Sequence, residues 1–115
     1  MIAYDDWQKQ HPDKAPLLAA CVAAVRSVVP DAGVVLYGSV ARGEETADSD
    51  VDLLVLVPQE VTSELRKMVH DQLYEIDLEY NQVVTSIIRQ RKAWESPPLN
   101  YTPLYRSIKN EGVLL

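Results

Sequence analysis

The stretch Gly38-Ser39-Val40-Ala41-Arg42-Gly43, followed after six residues by Asp50-Val51-Asp52-Leu53-Leu54-Val55, decides how this chain folds. Just before it, Val34-Val35-Leu36-Tyr37 is a short apolar run rich in β-branched residues and bounded by glycines, which predicts a buried strand. Gly38 can bring the backbone close to a phosphate, its neighbours expose N–H groups, and the Ser39 hydroxyl adds a donor. Residues 39–43 suit a short helical turn and residues 44–49 a polar loop. Val51 to Val57 then reads as a central strand stopped by Pro58. Alone, the Gly-Ser corner reads first as an ordinary turn.

Asp50 and Asp52 stand one residue apart at the mouth of an otherwise apolar strand. Strand side chains alternate faces, so both carboxylates are expected on one side. Two ionised carboxylates that close repel each other, and a positive charge between them relieves the repulsion. A hard divalent cation with oxygen ligands, such as magnesium shared with a triphosphate, meets that need. The bland alternative is an Asp turn followed by a strand cap. Arg42 would leave a guanidinium near the same strand ends, or be a plain surface arginine. Ser49, at the end of the loop, is a further candidate for phosphate binding.

Outward from this stretch, Leu18, Cys21, Val22, Val25 and Val29 recur at helical spacing, with Asp13 as the expected cap and Pro16 in the first turn. Residues 1–12 look irregular. Thr62 is placed to cap a second helix whose buried face carries Leu65, Met68, Val69, Leu73 and Ile76. Val83 to Ile88 reads as a third strand, residues 90–95 as a short helix, and Pro103 to Asn110 as a last one ended by Gly112. Trp94 and Tyr105 are expected to anchor the C-terminal helices. His11 and His70 have no metal-spaced partner and read as surface or capping residues.

The chain has 115 residues, 47% of them hydrophobic and 24% charged, which fits one domain over residues 1–115 with a single core. Its net charge of −6 argues against general nucleic-acid binding and against an anionic membrane surface. Arg89, Arg91 and Lys92 do cluster, so a local anion site stays open. The single cysteine, Cys21, lies within an apolar helical pattern and reads as a core residue in a reducing compartment. No run approaches the ~18 apolar residues of a membrane span. Residues 1–6 lack the regions of a signal peptide, so the expected location is cytoplasmic.

Together, the glycine-serine corner, the aspartate pair and the elements they sit on resemble the signature of the nucleotidyltransferase superfamily related to polymerase β, and in size its minimal nucleotidyltransferases. The core of the resemblance covers residues 36–57, and the order of elements extends it over most of the chain. The tail from Pro103 to Gly112 is similar to the end of small stand-alone bacterial members. The resemblance implies an α/β (α+β) fold: a mixed sheet of three or more strands, helices mainly on one face, and the signature along an open edge. It implies that Gly38 and Ser39 hold β- and γ-phosphates and that Asp50 and Asp52 ligate two magnesium ions. The implied reaction moves a nucleoside monophosphate from a nucleoside triphosphate, ATP first among them, to a hydroxyl of a protein or small molecule.

The superfamily usually adds a third carboxylate from the next core strand. At the matching positions this chain has Thr85 and Ser86. Asp77 and Glu79 would fill the role if that strand began earlier, since Ile76-Asp77-Leu78-Glu79-Tyr80 alternates in the strand manner; the preferred reading makes them the solvated end of the preceding helix. A degenerate nucleotide-binding or antitoxin-like module, acting through a partner, is the alternative function. The resemblance also implies a helical partner protein, and a homodimer would likewise supply the missing acceptor site.

Overall fold

The computed structural model describes residues 1–115. Three strands and two helices carry most of the predicted frame. Strand β2 (Gly33–Tyr37) pairs antiparallel with β3 (Val51–Val57), and β3 pairs parallel with β4 (Val84–Gln90). Helices α2 (Ala15–Val28) and α4 (Ser63–Tyr80) pack on one face of this sheet, burying Leu18, Cys21, Val25, Val69 and Leu73 against Val34, Leu36, Leu53 and Val55. The Thr62 hydroxyl accepts from the Leu65 N–H at 3.1 Å and caps α4, as its position in the sequence suggests.

The opposite face has its own smaller core. There α5 (Arg91–Trp94) and α6 (Pro103–Glu111) set Trp94, Tyr105 and Ile108 against Val35 and Leu54. The rings of Trp94 and Tyr105 lie 5.2 Å apart and anchor these helices, as expected. The two long helices thus share one face, and the short C-terminal pair covers the other. This explains why β3 is apolar on both sides: Val51, Leu53, Val55 and Val57 face the long helices, and Leu54 the short ones.

Several expectations are corrected. Residues 1–12 are ordered: β1 (Ile2–Ala3) and α1 (Tyr4–Gln8) precede a 3-10 turn at Pro12–Lys14. β1 pairs parallel with β5 (Val113–Leu114), and β5 pairs antiparallel with β2, giving a five-stranded sheet in the order β1-β5-β2-β3-β4. Two-residue strands carry too little periodicity to be seen in sequence; partners distant in the chain create them. The signature strands β2 and β3 therefore lie inside the sheet rather than along an open edge. Asp13 sits in the 3-10 turn and does not cap α2, whose N-cap residue, Lys14, makes no side-chain cap bond. Met68 is exposed, because α4 turns only Val69, Leu73 and Ile76 fully inward. Gly112 does end α6, yet with extended backbone; a Cβ there would meet Ile108 O at 2.5 Å and Val35 Cγ1 at 2.8 Å, so packing rather than conformation calls for glycine.

Candidate active site at the mouth of β2, β3 and β4

β2 ends where β3 and β4 begin, so Tyr37, Gly38, Asp50, Asp52 and Thr85 gather at one end of the sheet. Register fixes the neighbours: Asp52 lies opposite Tyr37 on β2 and opposite Thr85 on β4. Val51, between the two aspartates, is fully buried in the α2/α4 layer. Alternation along the strand therefore turns Asp52 toward the other face, which also holds Leu54. Asp50 precedes the strand, is exposed, and makes no hydrogen bond or ion pair.

Gly38 opens the five-residue helix α3 (Gly38–Arg42) and has φ +79°, a left-handed conformation that favours glycine. A side chain at that position would collide with Asp52 Oδ2, and would lie 3.3 Å from Asp52 Cγ. The glycine thus lets the backbone corner close against the carboxylate. The other carboxylate oxygen, Oδ1, accepts the Thr85 hydroxyl at 2.6 Å. Asp52 is held from both sides. Beside it, burial and then the charge of Asp52 push the Tyr37 phenol above its ordinary pKa, so that ring keeps its proton through the neutral range.

Gly43 ends α3 at φ +71°, and its N–H bonds back to Val40 O at 3.1 Å. Underneath, buried Trp7 donates its indole N–H to Ala41 O at 2.9 Å, so the N-terminal segment supports the corner. Sequence reading passed over this residue; its one signal was a lone tryptophan among polar neighbours. Ser39 is half-buried in the first turn of α3, and its hydroxyl has no hydrogen-bond partner.

Two other expected site residues are engaged elsewhere. Arg42 reaches Glu44 at 3.2 Å and Glu111 at 3.4 Å, which ties α3 to the end of α6. The Ser49 hydroxyl accepts from the Thr46 N–H at 2.9 Å and closes its own loop, while Ser49 O accepts from Gln82 Nε2 at 2.7 Å.

Asp77 and Glu79 do not join the pair. Helix α4 runs through Tyr80, so the strand-like alternation at 76–80 is helical instead. Asp77 Oδ1 accepts the Val84 N–H at 2.9 Å and caps the start of β4. No group of three or more His, Cys, Asp or Glu side chains could enclose a metal ion. Asp50 and Asp52 can still supply oxygen ligands to a divalent ion, and the absence of a side chain at Gly38 lets the Asp52 carboxylate lie against the backbone corner. The arrangement suits binding of a phosphate-bearing, cation-linked ligand.

A family model described as a nucleotidyltransferase domain matches residues 18–115. No curated protein sequence matches the chain. Among solved structures, the chain is similar to the crystal structure of a toxin–antitoxin with AMP-PNP, at 18% sequence identity and a TM-score of 0.62, covering 84% of this chain and 69% of that one.

Proposed function

The chain belongs to the nucleotidyltransferase domain family, with the polymerase β-like fold, and from that premise we propose that it transfers a nucleoside monophosphate from a nucleoside triphosphate to a hydroxyl group. ATP is the first nucleotide to test, because the structurally similar protein was solved with AMP-PNP. The observation that supports the proposal is the close approach of Gly38 to Asp52, which puts the backbone at the start of α3 directly beside a carboxylate.

In this reading Gly38 and Ser39 receive the triphosphate, with Arg42 and Ser49 as further phosphate contacts if they leave their present partners. Asp50 and Asp52 would hold a magnesium ion, which would supply positive charge against the phosphates. The acceptor oxygen bonds to the α-phosphorus as the bond to pyrophosphate breaks. Asp50, exposed and unpaired, is engaged as a ligand in this reading, and the acceptor's proton passes to solvent at the open site. The acceptor is a protein or small molecule, and a partner protein brings it to an otherwise open site. The likeness to a toxin–antitoxin protein supports such a partner.

The test is transfer of α-labelled ATP in the presence of the product of a neighbouring gene. Labelled acceptor that vanishes with Asp50→Ala or Asp52→Ala supports the proposal; no transfer to any acceptor overturns it. A second reading, a nucleotide-binding module without catalysis, is favoured by one observation: no third acid approaches the pair. Under that reading ATP binds and no label moves.

A further inference from the structure

We propose that Thr85 is a positioning residue that holds Asp52, and that the site consequently takes one divalent cation with its nucleotide rather than two. The inference rests on the nucleotide-binding reading above.

A magnesium-like ion takes six oxygens near octahedral geometry, and a pair of ions roughly 3.5–4 Å apart needs bridging carboxylates with free oxygens for both. This site has few. Asp52 and Thr85 are register partners on parallel strands, so their side chains share one face. The Thr85 hydroxyl is 2.6 Å from Asp52 Oδ1 and directs its proton there, which removes that oxygen from easy ligation. Oδ2 faces the Gly38 corner and stays available. Asp50 adds a second carboxylate. The candidate third acids are diverted: Asp77 Oδ1 accepts the Val84 N–H at the start of β4, and Glu79 is exposed on α4. With no third His, Cys, Asp or Glu in reach, the remaining ligands of one ion come from the triphosphate and water, and nothing is left to enclose a second.

Thr85 has a consequence of its own. By occupying Oδ1 it fixes the rotation of the carboxylate and aims Oδ2 at the bound ion. Residues that orient a metal ligand in this way typically change metal affinity by roughly 10–100-fold when removed. An acid at position 85 would instead set two carboxylates side by side, a repulsion that only a further cation relieves.

Equilibrium dialysis of the full chain with Mn2+ and the α,β-methylene analogue of ATP tests this directly. One Mn2+ retained per retained nucleotide is expected. Thr85→Val should weaken Mn2+ binding by about tenfold or more, and Thr85→Ser should restore it to within about twofold. Thr85→Asp should raise the ratio to two and give the paramagnetic-resonance signal of a close Mn2+ pair. Two ions per nucleotide on the unmodified chain, or no change with Thr85→Val, overturns the inference and leaves nucleotide binding intact. No Mn2+-dependent retention of the nucleotide overturns both readings. Should Thr85→Asp fail to fold, the ratio on the unmodified chain still decides.

Discussion

Gly38 and Asp52 meet so closely that no side chain fits between the backbone of one and the carboxylate of the other. Gly38 opens α3 and Asp52 lies on β3, yet each is shaped by its neighbour. The positive φ at Gly38 bends the chain into α3, and the bend carries the backbone over Asp52.

Gly38→Ala is therefore expected to damage both stability and binding. A non-glycine residue in this conformation costs about 1–3 kcal/mol, before the clash with Asp52 is added. For a domain of this size that lowers the melting temperature by roughly 5–20 °C. Thermal unfolding with and without ATP and Mg2+ checks it, and the nucleotide-dependent stabilisation should be lost as well.

Asp52→Asn separates charge from structure. Its side-chain oxygen can still accept the Thr85 hydroxyl, so the melting temperature should change little, by an amount matching about 1 kcal/mol or less. Label transfer should fall by about 100-fold or more, because the cation loses a charged ligand. A variant with near-normal transfer would remove Asp52 from the chemistry.

Trp7→Phe keeps an aromatic ring in the core but leaves Ala41 O without its indole donor. A buried acceptor left unpaired costs about 1–3 kcal/mol. The loss should appear in chemical denaturation as a lower midpoint at unchanged slope. Nucleotide affinity should fall along with it, since the bond supports α3.

Cys21 gives a prediction in pH. Burial, and then the charge of Asp77, push its thiol up to about 12 from an ordinary 9.0. The folded state thus keeps this proton more tightly than the unfolded chain does. Its contribution to stability is complete below pH 9 and declines as pH rises from 9 toward 12. Native protein at pH 8 should not react with a thiol reagent, and should react only after denaturant unfolds it. Fast labelling of the folded chain would contradict the burial of Cys21.

Much of the frame was legible because local chemistry and tertiary demand agree there. β2 and β3 are apolar runs, α2 and α4 repeat apolar residues at helical spacing, and Thr62 and Pro58 mark boundaries that local backbone chemistry enforces. The site was legible as a set of candidates, Gly38, Ser39, Asp50 and Asp52, because glycine and paired carboxylates at strand ends are unusual in kind and spacing. Asp77 shows the limit. Its neighbours alternate like a strand, yet α4 continues past it, since helical burial of Val69, Leu73 and Ile76 outweighs a five-residue alternation.

Local patterns in the chain were enough to mark the apolar strands, the two long helices, the cap on α4 and the candidate residues for phosphate and cation, because these depend on side chains within a few positions of one another. Packing of the whole chain was needed to reveal that β1 and β5 exist, that Trp7 supports α3, that Arg42 and Ser49 already have partners, and that the Thr85 hydroxyl donates to Asp52. Each of those relations joins segments far apart in the chain. Their register is set by which faces the sheet can bury together, and that is a property of the packed molecule rather than of any local run of residues.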